Sequence, residues 1–435
     1  MIDLAQLRRE PDVVKAALAR RGVAHETVES ILALDAEHRQ LLQEAERLRA
    51  EVKFLSRLVA EARRENDVAT AEQLTTKSRA LGDEERVASE ATDRVGATLR
   101  DELLMIPNIP SPEAPDGLDE GDNVEVRRWW VGMDEGMDPP TYAEHQRVAH
   151  WDIGTELGIL DMESGAKLAG SMFPLYRGAG SRLLRALGSF ALERHAPEYE
   201  EIRPPSFALT ETMMSTGHLP KSADDMYAIE RDGLWAIPTA EVPLTSMRRG
   251  EILDESSLPI RLTAQTACFR REAGAAGRDT RGLLRVHEFD KVELFAYCTP
   301  DQAQAAHADI LARAESLLQA LGLTYRVLDL CAGDLGTSSA RTIDLEVYSP
   351  GVDRWLEVSS ISWFRDFQAR RANVRYRTAE GATAFVHTVN GSALAWARIW
   401  AALVETYRQA DGSIRLPDVL APYMGGSSTI VPRAS

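Results

Sequence analysis

The chain has only three cysteines in 435 residues, Cys268, Cys298 and Cys331, an odd number with no Cys-x-x-Cys pair among them. That excludes a disulfide framework and a cysteine-built zinc site, and it leaves reduced thiols of structural use. No run approaches the roughly 18 continuous apolar residues of a membrane span. The opening MIDLAQLRREPDVV alternates charge without the apolar core of a signal peptide. A soluble, cytoplasmic protein is expected. Positive charge is short: 50 Lys and Arg stand against 67 Asp and Glu, a net charge of -17, so any polyanion must be met by local patches. No G-x-G-x-x-G or P-loop follows a strand-like run, which removes the two common nucleotide-binding folds. The nine histidines are scattered, and no Ser-His-Asp or Cys-His grouping offers a nucleophile.

What is present is apolar periodicity. Apolar residues make up 44% of the chain, enough for a large core and for two or three domains. Residues 1–26, with Asp3 as a cap and Gly22 as a stop, read as a short helical lead-in. Ile31, Leu34, His38, Leu41, Ala45, Leu48, Val52, Leu55, Val59 and Ala62 then step by three and four, a heptad seam with one polar member. After a polar tip at Glu65-Asn66-Asp67, a weaker pattern runs through Leu74, Leu81, Ala88, Val95 and Leu99 until Pro107 and Pro110 stop it. Two such helices make an antiparallel hairpin roughly 50 Å long at 1.5 Å per residue. The predicted organisation is a helical N-terminal domain at 1–106, a Pro-, Gly- and acid-rich linker at 107–123, and an α+β domain on a mainly antiparallel sheet at 124–435.

Chemistry concentrates in TACFRREAGAAGRDTRGLLRVHEFDKVELF, 266–295, where strand-like runs flank a glycine-bearing loop with Arg270, Arg271, Arg278, Arg281 and Arg285. On strands of period two, Arg270 shares a face with Glu272, and Arg285 shares one with Phe289 and Glu293. Guanidinium groups clamp phosphates, an aromatic ring stacks on a base, and a carboxylate takes an ammonium, so this set suits a nucleoside triphosphate and an amine together. A surface hairpin laced with ion pairs is the plainer alternative. TAEVPLT adds Thr239 and Glu241, either as a one-face pair or as a turn before an ordinary strand. Glu357 is a candidate ligand for Mg²⁺, a hard cation that favours oxygen. Glu357 and Ser360 have opposite parity, so both can face one site only through a bulge or turn. Arg370, Arg371, Arg375 and Arg377 read mainly as a solvated face.

These segments, with HWDIGTELGILD, TGHLPKSADDMYAI, EVSSIS, DFQARRANVRYR, VNGSALAWAR and PYMGG, follow in an order that resembles the bacterial-type seryl-tRNA synthetases, class II aminoacyl-tRNA synthetases, along essentially the whole chain. The resemblance implies an antiparallel class II catalytic domain behind a coiled-coil arm, and a ligase that makes seryl-adenylate from L-serine and ATP and passes the seryl group to tRNA(Ser). It places ATP on Arg270, Glu272, Arg285, Val286, Phe289 and Arg398: Arg270 at the α-phosphate, Glu272 and Phe289 at adenine, Arg398 at the γ-phosphate. Mg²⁺ would bind Glu357 and Ser360, with no zinc. Serine would meet Thr239, Glu241, Arg270, Glu293, Asn390 and Ser392. A pocket that hydrogen-bonds a hydroxyl rejects alanine, whose binding leaves those groups unpaired. Arg49, Lys53, Arg57, Arg63, Arg64, Lys77 and Arg79 would meet tRNA phosphates. The arm is nearly balanced, with nine basic and eight acidic residues between 47 and 86. A homodimer is implied, with residues 180–205 at its interface and each arm serving the other subunit.

Ile361, Trp363 and Trp396 stand where the family usually has small residues, and His218 where it usually has Gln. The three bulky residues would either reshape the wall behind the substrates or fill core, and His218 is a milder change. A specialised second copy, tolerant of a seryl-adenylate mimic or serving a biosynthetic pathway, and a non-catalytic tRNA-binding protein are therefore the rival readings. In HTVNGSALAWAR the strand-like start is expected to pass at Asn390-Gly391-Ser392 into a helix of small residues. On that helix Trp396 points about 200° from Arg398, which favours packing over phosphate contact.

Overall fold

The computed structural model describes residues 1–133, 139–274 and 280–431, and the chain divides into two compact units, Ile2–Ile106 and Pro107–Ser435 with Met1. Gly277 and Arg278 of the predicted loop lie outside the described residues.

In the smaller unit, Asp3 caps the first helix by accepting the Ala5 amide at 2.9 Å. The paired helices His25–Arg64 and Val68–Met105 follow. Every seam position from Ile31 to Ala62 is buried or half-buried, as are Leu74, Leu81, Ala88, Val95 and Leu99. The polar seam member, His38, lies over Gly96, where an added Cβ would come within 2.9 Å of its Nε2. At the tip, Asp67 accepts the Thr70 amide and caps the second helix.

The larger unit is built on one eight-stranded sheet. Its strands, in chain order, are β1 (Val124–Trp129), β2 (Glu200–Glu201), β3 (Ile260–Phe269), β4 (Glu288–Cys298), β5 (Tyr325–Asp329), β6 (Arg341–Ser349), β7 (Arg354–Trp363) and β8 (His387–Ala395). Their spatial order is β1-β5-β6-β7-β8-β4-β3-β2, and every pairing is antiparallel except the short β2–β3 edge. Strand alternation divides the core: Val292, Leu294 and Ala296 of β4 join the cluster containing helices Ala179–His195, Pro300–Ala320 and Trp396–Thr406, whereas Phe295 and Tyr297 join a separate one with Ala240 and Leu244. In the segment expected as a linker, Asn108 is buried; its amide donates to Thr337 O at 2.8 Å and its Nδ2 to Phe364 O at 2.8 Å.

Three local expectations need correction. Glu241–Ser246 is a helix rather than a strand, with Pro243 in its first turn, where a missing N–H costs no bond. The strand β8 runs through the small residues to Ala395, and the helix starts only at Trp396, because pairing with β4 holds Ser392 opposite Glu293. That pairing breaks at a bulge before Ala395, where Leu394 takes φ +75. Finally, β3 ends at Phe269 and β4 begins at Glu288, so Arg270, Glu272 and Arg285 stand on the loop instead of on strand faces.

Candidate active site

A cavity of about 410 Å³ opens on the sheet, within the size range of small-molecule sites. Thr239, Glu241, Arg270, Glu272, Arg285, Val286, Phe289, Glu357, Ser360, Asn390, Ser392 and Arg398 all line it, brought from four segments far apart in sequence. At one end the Arg270 guanidinium lies 5.1 Å from the Phe289 ring centroid. Arg285 is hydrogen-bonded to Glu272, and Arg398 donates to Glu357 O at 2.7 Å and to Leu284 O at 3.1 Å. Among the described residues, Arg270 is the lining arginine without a carboxylate within ion-pair distance.

The other end is a closed polar nest. Glu293 is fully buried and is absent from the lining: Thr239 Oγ1 donates to its Oε2 at 2.9 Å and Asn390 Nδ2 to its Oε1 at 2.9 Å. Asn390 Oδ1 is buried with no protein partner among the described residues, an acceptor left for a ligand. Glu241 accepts from Gln368 Nε2 at 2.6 Å through Oε1 only, and its other oxygen has no partner among the described residues. Burial, and next the charge of Glu293, push the Glu241 carboxyl up to about 7. Lys291 is a further lining residue, selected by the same parity that groups Phe289 with Glu293. Its Nζ lies 2.8 Å from Thr239 Oγ1 and 2.6 Å from Glu293 Oε2.

A third corner answers the parity problem of Glu357 and Ser360. The β6–β7 register shifts so that Leu345 faces Ser359 while Glu346 faces Glu357; Val358 is the extra residue of a bulge. That insertion turns Glu357 and Ser360 to the same side. Asp344, paired with Ser360 across the strands, adds a buried Oδ1 without a hydrogen-bond partner, and burial followed by the Glu357 charge pushes its carboxyl well up. An all-oxygen set fits a hard divalent cation. Among the described residues no three His, Cys, Asp or Glu side chains could hold an ion by themselves, so phosphate oxygens would have to complete its shell.

Behind the cavity, His150 and Glu405 form a support that the sequence did not reveal. Both are fully buried. His150 Nε2 accepts the Leu283 amide at 2.9 Å, which leaves Nδ1 to donate to Glu405 Oε1 at 2.8 Å. Glu405 also accepts from the His150 and Gly351 amides, at 2.9 and 3.0 Å, and from Ser349 Oγ. Gly282, at φ +62, lets the loop approach: a Cβ there would come 2.5 Å from His150 Nε2. No local pattern announces this support, since its members lie more than 250 residues apart.

None of the three bulky departures lines the cavity. Ile361 is fully buried and sits against Gly391, where a Cβ would meet it at 2.9 Å. Trp363 shares that reverse face, its Nε1 3.3 Å from His387 Nδ1 and its ring under the Arg365 guanidinium. Trp396 is fully buried in the helix-side core, while Arg398 reaches the cavity, as the 200° separation predicts. His218 does line it; its Nδ1 lies 2.7 Å from Thr216 Oγ1, and burial, then Arg270 and Lys291, push the imidazole down to about 3. Of the other arginines, Arg271 donates to Asp224 O and Arg281 covers the Trp151 ring. Arg370 pairs with Asp366, and Arg371 donates to Met214 O and Leu219 O.

In the N-terminal unit, Arg49, Lys53, Arg57, Arg63, Arg64, Lys77 and Arg79 are all exposed. Arg49 pairs with Glu85 at 2.8 Å, and Arg57 lies 6.0 Å from the centroid of the exposed Phe54 ring.

Residues 1–110 match the seryl-tRNA synthetase N-terminal domain, and residues 227–407 the tRNA synthetase class II core domain (G, H, P, S and T). The chain is 41% identical over 435 residues to a serine–tRNA ligase of Staphylococcus saprophyticus, covering 99% of this chain and 100% of that one. The fold is similar to seryl-tRNA synthetase from Pyrococcus horikoshii complexed with ATP: TM-score 0.90, 34% identity, all of both chains covered. It is also similar to the cytoplasmic serine–tRNA ligase of Naegleria fowleri in complex with AMP, at a TM-score of 0.83 and 27% identity over 98% of this chain and 96% of that one. A full-length match of this depth, over both an arm and a class II core, means that the chain belongs to the seryl-tRNA synthetases.

Proposed function

We propose that this chain is a serine–tRNA ligase that joins L-serine to the 3′ end of tRNA(Ser) at the cavity described above. The serine carboxylate attacks the α-phosphorus of ATP, pyrophosphate leaves, and a terminal ribose hydroxyl of the tRNA then takes the seryl group from the adenylate. Both reactants are already reactive, so positioning and charge neutralisation supply the catalysis. Arg270 serves the α-phosphate, Arg285 assists, Arg398 serves the γ-phosphate, and Glu272, Val286 and Phe289 hold adenine. Glu357 and Ser360 would hold Mg²⁺, which would neutralise phosphate charge. The single observation that carries this reading is the meeting, in one cavity, of an arginine without a carboxylate partner and a buried nest with an orphaned amide acceptor. Serine-dependent ATP–pyrophosphate exchange tests it; its absence ends the reading. Ile361, Trp363 and Trp396 all stand away from the lining, so the bulky departures that raise a specialised second copy do not reach the cavity; of the four departures His218 alone lines it.

Glu241 takes the serine ammonium on its free oxygen, and this sets a pH dependence. A carboxyl at about 7 is ionised above that pH, so the KM for serine rises as pH falls below 7, by about tenfold per unit for a single ionisation. In Glu241→Gln the KM is higher at pH 8 and loses this slope; a wild-type KM for serine that is flat between pH 5.5 and 8 contradicts the assignment.

The arm meets tRNA phosphates through the seven exposed cations, in a cytoplasmic homodimer that pairs each arm with the other subunit's site. Binding then falls steeply with salt. Replacing Arg63 and Arg64 by Ala is expected to raise the KM for tRNA several-fold and to flatten its salt dependence, with the KM for serine unmoved. Sedimentation of the full chain tests the dimer.

No helix among the described residues is long and apolar enough to cross a membrane.

A further inference from the structure

Lys291 has no part in the reading so far, yet it is the cation held most tightly inside the amino-acid end of the cavity. It is 6% exposed, on the same strand face as Phe289 and Glu293, and it both lines the cavity and covers a carboxylate that does not. The nest holds two buried carboxylates, Glu241 and Glu293, and one ammonium, Lys291, whose Nζ is 2.6 Å from Glu293 Oε2 and 2.8 Å from Thr239 Oγ1. Glu293 is therefore charge-matched from within the protein, whereas Glu241 has only the neutral Gln368 amide on one oxygen. The imidazole of His218, pushed down to about 3, adds no charge. Arg270 and Lys291 act on Glu241 from beyond ion-pair distance, so what the nest lacks is a close cation at Glu241.

We propose that Lys291 is a specificity-determining residue: by neutralising Glu293 it makes the side-chain end of the pocket accept a neutral hydroxyl and refuse an ammonium. This rests on the reading of the cavity as the serine site. A substrate hydroxyl can donate to the orphaned Asn390 Oδ1, beside the amide that holds Glu293 Oε1. A second ammonium at that place would face Lys291 across the same carboxylate, and like charges at such range in a buried site cost heavily. Without Lys291, Glu293 would be an unmatched buried carboxylate, and a cationic side chain would be the better ligand.

The test uses ATP–pyrophosphate exchange by the full-length protein with two substrates of equal shape, serine and 2,3-diaminopropionate, which carries an ammonium in place of the hydroxyl. In Lys291→Met, kcat/KM for the diamino acid relative to serine is expected to rise at least about tenfold, because one unit charge is removed from within a few ångströms. Lys291→Gln, which keeps a polar end without the charge, shifts the ratio in the same direction if the Met variant folds poorly. Adding Glu293→Gln to Lys291→Met is expected to return the ratio toward serine, since the charge that attracts the second ammonium is gone. General damage to the fold lowers both substrates together and leaves the ratio alone. A ratio unchanged in both single variants, or a shift that survives Glu293→Gln, overturns the proposal. Failure of the wild type to exchange with serine overturns the functional reading itself and the proposal with it, a result distinct from any change of ratio.

Discussion

Replacing Arg270 by Ala is expected to lower serine-dependent ATP–pyrophosphate exchange by about 10³-fold while leaving the thermal unfolding midpoint nearly unchanged. Removal of one preorganised transition-state donor costs about 10²–10³ in rate, and a full guanidinium charge facing a phosphate belongs at the upper end. Stability should hardly respond, because Arg270 has no carboxylate partner among the described residues; its contact is with the Phe289 ring, worth well under the cost of a broken buried pair. Arg285 and Arg398 are tied to Glu272 and to the Glu357 carbonyl, so they stand partly occupied until phosphates arrive. Arg270→Lys retains charge but not the planar fork, and it should recover only part of the loss. A ten-fold or smaller drop for Arg270→Ala would remove the α-phosphate assignment.

The second large effect concerns stability. Glu405→Gln is expected to cost about 3–5 kcal/mol, read as a fall in the midpoint of chemical unfolding. The residue is fully buried, and all of its partners donate: the His150 and Gly351 amides, His150 Nδ1 and Ser349 Oγ. A carboxamide keeps the volume but turns two N–H bonds toward groups that are themselves donors. The damage should also reach ATP. His150 holds the Leu283 amide, and the neighbouring Leu284 carbonyl holds Arg398 Nε at 3.1 Å, so the loop and the γ-phosphate arginine lose a common anchor. A raised KM for ATP with the KM for serine near wild type is the kinetic signature. A fully stable Glu405→Gln would mean that the network contributes little.

Much of the site was legible in the sequence because the residue types are costly anywhere else. Arginines with a stacking ring and interleaved carboxylates have few structural uses in one short stretch, and Asn390, Ser392 and Arg398 line the same cavity. The errors came where the sequence was read as regular strand. Arg270, Glu272 and Arg285 converge from a loop, and Glu357 joins Ser360 only through the bulge at Val358. Lys291 was visible by parity but resembled an ordinary surface lysine until its burial was known.

By itself the sequence determined the elements with strong periodicity and the family to which they add up. Heptads from Ile31 to Ala62 specify a hairpin because every third or fourth residue must leave water, a demand that local spacing meets without distant partners. Tertiary structure alone decided the rest. Strand pairing carried β8 through residues that look helical, packing put Trp396 in the core instead of the cavity, and His150 found Glu405 across 255 residues. It also made Glu293 a shielded carboxylate with its own cation. These outcomes depend on which groups are desolvated together, and desolvation is a property of the packed interior that no neighbour in sequence can set.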